Sequence, residues 1–329
     1  MKFFLSLFIL FFITLFANEI DTNTSYIDVT HKMLSNKVSD YSNVLDQGVS
    51  TLFIGKNKQD EPASSNNSSN IVDNFFKNEK FINETEKSFV NIIFYTNMQS
   101  KYNNKSATRV NAHIALTRTN KKFNFFISGV NENMNKDIIN KGTDTEIGVN
   151  YFRSDYYKVQ SKYSIGIREF YPLIRARYYK VFTTVKWRIE PMQIFEYSSK
   201  DAFKESTFIY FDKTFIDKSL LRFTLHRETQ TKLTGMNYDF STQYYWSSNQ
   251  NNIIRVSQIF SGNTQYKANP SSQEYSGINN YTTTLNFRTN IWKKWLFYEI
   301  SPSVNFHKEN KYKANYVITF SINLYFGNF

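Results

Sequence analysis

Over the last fifty residues, 280–329, apolar and polar side chains alternate with a period of two, and this restricts the fold more than any other feature of the chain. In Ala314 to Phe326, the side chains of Ile318, Phe320, Ile322, Leu324 and Phe326 fall on one face, and Thr319, Ser321, Asn323 and Tyr325 fall on the other. Successive residues of a strand point to opposite faces, so the segment reads as a strand with apolar surroundings on one side and polar ones on the other. Two similar strands precede it, Tyr281 to Ile291 and Leu296 to His307. They are split by the basic link Trp292-Lys293-Lys294-Trp295, and the polar loop Lys308 to Lys313 leads into the last strand. All three reach the roughly 9–11 residues that a tilted strand needs to cross a bilayer.

Composition favours membrane strands over membrane helices. Aromatic residues make up 18% of the chain, with 32 Phe and 23 Tyr against 10 Gly and 5 Pro. Mean hydropathy is −0.50, and beyond position 17 no apolar run approaches the roughly 18–20 residues of a spanning helix. That polarity suits a barrel, in which only alternate residues meet lipid. Without cysteine there is no disulfide framework, thiolate metal site or lipidated N-terminus. The net charge of +12 is spread over the whole chain, and no basic helix or stacking motif gathers it for nucleic acid. Anionic lipopolysaccharide and anionic solutes are the expected partners instead.

Taken in order, Met1 to Ala17 has one Lys, an unbroken apolar stretch and a small residue, the layout of a signal peptide cut after Ala17. Residues 18–55 are expected to form a periplasmic amphipathic helix. Leu34, Val38, Tyr41, Leu45, Val49 and Leu52 recur at steps of three and four, with Tyr26 and Val29 leading in. Ser25 and Asp28 resemble a capping box, Gly55 is a stop, and Gly48 weakens the middle. The apolar stripe is expected to pack on the barrel mouth or on another helix, and a periplasmic partner protein is a second use for it. Residues 56–87 form a polar linker with a short helix over Ile71 to Ile82.

From residue 88 to residue 329 the chain reads as a transmembrane antiparallel up-and-down β-barrel. The predicted strands run Phe89 to Gln99, Thr108 to Arg118, Phe123 to Val130, Glu146 to Arg153, Lys158 to Arg168, Leu173 to Phe182, Val185 to Tyr197, Thr207 to Phe215, Leu220 to Thr229, Met236 to Trp246 and Ile253 to Ser261, then the closing three. That makes fourteen, an even number that leaves both ends of the sheet in the periplasm. Long loops Asn131 to Thr145 and Gly262 to Asn280 fall outside; short links such as Asn120-Lys121 and Asp217-Lys218 fall inside. The short connection Glu169 to Pro172 is the exception, and a miscount there gives twelve strands.

The segment Asn286 to Gly327 resembles an uncharacterised family of predicted outer-membrane proteins of proteobacteria. The likeness is carried by Asn290, Trp295, Leu296, Phe297, Glu299, Pro302, Phe326 and Gly327, and more faintly by Tyr178, Arg188, Glu190 and the stretch from Ser206-Thr207 to Asp212-Lys213. It implies a barrel in the outer membrane of a Gram-negative bacterium and implies no activity. Phe320, Ile322, Leu324, Phe326 and the terminal Phe329 look like an outer-membrane insertion signal of the kind the barrel-assembly machinery reads.

With apolar positions such as Val110, Ile114, Leu116, Ile147, Val149, Leu221, Phe223 and Leu225 toward lipid, alternation sends the charges inward. The expected basic lining is Arg109, Lys158, Lys162, Arg168, Arg175, Arg177, Lys186, Arg188, Arg222, Arg255 and Arg288; the acidic lining is Glu146, Glu190, Asp212, Asp239 and Glu299. This excess of cations points to an anion-leaning pore for small solutes or to a lumen packed by Arg–carboxylate networks. Trp187, Trp246, Trp292 and Trp295 are placed in a headgroup girdle.

No catalytic set is found. Of four histidines, His31, His113, His226 and His307, none sits in a sequence motif with a nucleophile and a carboxylate, and neither a phosphate loop nor metal-ligand spacing occurs. No cofactor and no enzymatic activity are expected. The ~70 residues before the sheet are too few for the globular plug of energy-coupled receptors, whose barrels have about 22 strands.

Overall fold

The computed structural model describes residues 26–53, 88–116, 123–128, 145–156, 159–216, 218–249, 252–266, 275–290 and 292–327. The signal-peptide and linker readings, Lys158 and Phe329 lie outside them. Among the described residues one α-helix, α1 (Tyr26–Phe53), precedes fourteen strands. These are β1 (Phe89–Gln99), β2 (Lys105–Leu116), β3 (Phe123–Ser128), β4 (Glu146–Tyr156), β5 (Val159–Arg168), β6 (Tyr171–Tyr179), β7 (Arg188–Ser198), β8 (Ala202–Ile216), β9 (Ser219–Gln230), β10 (Met236–Asn249), β11 (Asn252–Tyr266), β12 (Tyr275–Thr289), β13 (Leu296–His307) and β14 (Ala314–Gly327). A two-residue segment, Phe182–Thr183, continues β6 along β7.

Every strand pairs antiparallel with its sequence neighbours. β1 pairs with β14, from Phe89↔Gly327 to Gln99↔Val317, and β6 pairs with β7, so the sheet closes on itself. Closure leaves no unpaired edge, the condition for a sheet to exist in hydrocarbon. The twelve-strand alternative is ruled out. The short connection that suggested it is a genuine tight turn, in which Glu169 and Phe170 adopt φ of 47° and 72° between β5 and β6. The predicted loop Gly262 to Asn280 is also corrected, because β11 continues to Tyr266 and β12 begins at Tyr275. Polar residues such as Asn263 misled the reading, yet Asn263 still pairs with Gly277 across the ladder.

Register fixes which face each residue takes. Asn91 lies opposite Asn111 and Tyr325, and Asn150 opposite Asn124 and Ser164; these polar side chains are buried. Residues of the other parity, including Phe94, Met98, Val110, Ile147, Val149, Ile165, Ile174, Ile318 and Phe320, are exposed. Polar inside and apolar outside reverses the order of a water-soluble protein. An outward apolar surface around a closed, even-numbered antiparallel barrel is the construction of an outer-membrane-type barrel.

Helix α1 lies along one end of this barrel. Asp28 pairs with Lys293 at 2.5 Å, His31 donates from Nε2 to the Tyr325 carbonyl at 2.7 Å, and Ser42 bonds Ser88 at 2.6 Å. The helix therefore runs from the β12–β13 link past the end of β14 to the start of β1, packing on β14, β1 and β2. Gly327 permits the approach: a Cβ there would meet the Ser88 carbonyl at 2.7 Å and Val38 Cγ1 at 3.0 Å, and its φ is +96°. This end is called the helix end below, and the other the far end.

The expected docking stripe is corrected. Val38 and Val49 turn toward the barrel, but Leu34, Tyr41 and Leu45 are exposed. The side chains held against the barrel include His31, Ser42 and Asp46, with Ser42 and Asp46 buried. A polar stripe docks because the rim presents the Tyr325 carbonyl to His31 and the Ser88 hydroxyl to Ser42, polar groups that an apolar stripe could not answer.

Candidate pore lining

The inward wall is built by register, strand after strand. From β4 to β10 the rows Glu146↔Arg168, Ser164↔Arg175↔Glu196↔Lys204 and Arg188↔Asp212↔Arg222↔Gln243 run side by side. Beyond them Tyr245↔Arg255↔Asn286 and Arg288↔Glu299↔Ser321 complete the ring. Arg109 lies inward on β2 opposite Ile93, and Lys162 and Arg177 face each other across β5 and β6. Among the sequence-expected lining residues, Lys186 is misplaced. It sits exposed in the turn closed by the Thr184 N–H and the Trp187 carbonyl, 2.8 Å apart, so it lies outside the strand alternation that was used to send it inward.

At the far end one network joins five strands. Glu196 accepts Arg168 Nη1 at 2.8 Å and Arg175 Nε at 2.8 Å, with Lys204 Nζ at 3.4 Å. Glu146 accepts both guanidiniums at 3.0 Å. The Glu196 side chain is 1% exposed, so its charge is held by these cations and scarcely by water. Also toward the far end, His226 Nδ1 lies 2.8 Å from Asp239, with the imidazole stacked on Phe208 at 4.1 Å between ring centres. Sequence spacing does not pair this His with a carboxylate; register does, because His226 and Asp239 are direct cross-strand partners.

Toward the helix end the balance changes sign. Lys162, Arg177, Arg188, Arg222, Arg255 and Arg288 all fall within four residues of their strand's end on that side. Glu190, Asp212 and Glu299 are the carboxylates among them. Arg222 is 1% exposed and holds Asp212 bidentately at 2.6 and 2.8 Å, the geometry in which a guanidinium fork fits a carboxylate best. Arg188 reaches Glu190 at 3.1 Å. Arg288 donates to the Tyr325 hydroxyl at 3.0 Å and lies over the Phe297 ring at 4.6 Å. Glu299 is taken by Asn286 at 2.5 Å.

Sequence reasoning missed Glu196, Lys204, Glu228 and an inward apolar cluster of Met192, Ile194 and Phe208, edged by Tyr179 and Tyr210. The two omissions have one cause. On β7 the inward face alternates Met192, Ile194 and Glu196, while the outward face carries Gln193, so apolarity does not mark the lipid side there. Arg–Glu pairing across two hairpins was the available signal.

The outer surface is also sorted by height. All four tryptophans lie toward the helix end. Trp246 and Trp292 are exposed, Trp187 packs near Phe223, and Trp295 stacks on His31 at 4.2 Å. The insertion-signal residues Phe320, Ile322, Leu324 and Phe326 occupy the outward face of β14, and Phe326 also stacks on His31, at 5.2 Å. A run of ring contacts, Phe123–Tyr151–Tyr163–Tyr178–Phe195–Phe203, crosses β3 to β8 on the outside.

No protein-family model matches the chain, and no curated protein sequence does. Among solved structures, the chain is similar in arrangement to an outer-membrane protein of Vibrio cholerae, the loop-deleted OmpT, at 7% identity and a TM-score of 0.45, covering 73% of this chain and 98% of that one. It is similar also to OccK1 of Pseudomonas aeruginosa, at 6% identity and a TM-score of 0.41 with the same coverage, and to the KdgM porin, at 7% identity and 0.34, covering 71% and 98%. At such distances the barrel stands on its own register, with these proteins as likenesses only.

Proposed function

We propose that the chain is an integral outer-membrane β-barrel that forms a narrow, passive, anion-leaning pore for small solutes, with its helix end in the periplasm and its far end in the lipopolysaccharide layer. The carrying observation is the axial distribution of inward charge. Arg and Lys meet matching carboxylates at the far end, whereas cations outnumber carboxylates toward the helix end. A net excess of one sign in a confined, low-dielectric wall favours counter-ions at close range. On this reading the outward face of β14 is the surface offered to the barrel-assembly machinery during insertion.

A second reading has its own observation. Arg222, Glu196, Asn286, Asn305 and Asn315 are almost wholly buried, and Met192, Ile194 and Phe208 add apolar filling; a lumen packed in this way suits a non-conducting scaffold whose helix engages a periplasmic partner or another copy. Planar-bilayer recording of the purified barrel separates the two. Discrete conductance with anion preference is expected for the pore, and a silent bilayer at saturating insertion would favour the scaffold.

A further inference from the structure

We propose that α1 is a second membrane-contacting element, lying in the plane of the periplasmic leaflet with its apolar sector in the lipid interface; this rests on the outer-membrane reading above. The argument starts from the helix's three sectors. At about 100° per residue, His31, Ser35, Val38, Ser42 and Val49 fall together on the side that meets the barrel, as the bonds of His31 and Ser42 fix. To one side lie Lys32, Asn36, Asn43 and Gln47, all exposed and polar. To the other lie Tyr26, Met33, Leu34, Tyr41, Val44 and Leu45, with exposures from 39% to 84%, and exposed Asp40 marks the border with the polar sector. Lys37 also falls there, with a stem long enough to lift its charge out of an apolar layer. A helix with one edge on protein, one in water and one still bare needs an apolar phase on that third edge.

The occupant follows from where the helix sits. Its contact ring, His31, lies on Phe326, which belongs by register to the outward face of β14 together with Leu324, Ile322 and Phe320. The bare sector therefore continues the surface that the barrel turns to hydrocarbon. At the same level Leu116 and Leu296, outward by register, are 2% and 5% exposed while their counterparts at mid-barrel are open. Beside the helix, Trp292 and Trp295 flank Lys293 and Lys294, and Lys293 is pinned by Asp28. Indoles and lysines at one height are the residues that settle among lipid headgroups. Lipid, and not a protein groove, is the occupant that these neighbours select.

The chain has no cysteine, so single-cysteine variants of the full-length protein can each carry one environment-sensitive fluorophore after refolding into phosphatidylglycerol-containing vesicles. Labels at Tyr41→Cys and Val44→Cys should be quenched by lipids brominated near the headgroup end of the acyl chain, as a label at Ile165→Cys on the barrel wall is quenched by deeper bromines. Labels at Asn36→Cys and Asn43→Cys should stay unquenched by either. Unquenched Tyr41 and Val44 labels beside a quenched Ile165 label would overturn the proposal and leave the barrel reading standing; self-quenching between Val44 labels in that case would assign the sector to a second copy. An unquenched Ile165 label would overturn both.

Discussion

Replacing Glu196 with Gln removes the anion around which the far-end network is assembled. The carboxylate, 1% exposed, faces Arg175 at 2.6 Å, Arg168 at 2.8 Å and Lys204 at 3.4 Å. After the change Glu146 still answers both guanidiniums, each at 3.0 Å, and Asp201 stands 3.8 Å from Arg168. Breaking a buried ion pair costs about 3–5 kcal/mol, because the remaining charge is left without a counter-ion. Glu146 is still shared and the Gln carbonyl still accepts one hydrogen bond, so the expected loss is at the lower end, about 3 kcal/mol. Glu205→Gln is the internal comparison. Its pair with Arg227, at 2.8 Å, is 29% and 49% exposed on the outer surface, where such pairs contribute about 0–1 kcal/mol. A double-mutant cycle of Glu196→Gln with Arg175→Gln should return a coupling of about 1–3 kcal/mol. Urea unfolding in lipid vesicles, followed by tryptophan fluorescence, measures all of these. If Glu196→Gln costs no more than Glu205→Gln, the network does not hold the wall and the reasoning fails.

Gly148 and Gly166 face each other across β4 and β5, and a Cβ on Gly148 would stand 2.5 Å from the Ile165 carbonyl and 2.9 Å from Gly166 Cα; Gly148→Ala should cost about 1–3 kcal/mol in the same unfolding assay, as overpacking does. Ile165→Arg puts a charge on the outward face of β5 and should cost about 2–4 kcal/mol in vesicles, a loss absent for Arg placed at the exposed turn residue Lys232. Deleting Phe329 should leave the refolded barrel's unfolding midpoint unchanged in vitro while lowering the heat-modifiable, membrane-inserted fraction in cells, if the C-terminus is read during assembly.

The strand plan was legible because lipid imposes a strict demand. One face of every strand must be apolar over a bilayer's height, and Ile318 through Phe326 or Leu221 through Leu225 write that demand plainly. Turns were legible where polar residues cluster, and misread where a polar ladder such as Asn263↔Gly277 stays strand beyond the membrane. The lining was legible only where inward meant polar. On β7 and β8, Met192, Ile194 and Phe208 fill the inside while Gln193 and Thr207 bond each other outside at 2.6 Å, so hydropathy loses the phase and Glu196 goes unnoticed. The helix shows a different limit. Amphipathic spacing locates an apolar sector but cannot say whether protein or lipid will cover it, and here hydrogen bonds to the rim turned a polar stripe toward the barrel.

The reversal potential across a planar bilayer under a KCl gradient reads the sign of the lumen toward the helix end directly. The wild-type barrel should show a potential displaced toward the chloride equilibrium value, and the combined change Arg177→Glu, Arg255→Glu and Arg288→Glu should move it toward the potassium value with the single-channel events retained. A wild-type preference for potassium, or a potential indifferent to the three reversals, would contradict an anion-leaning lumen.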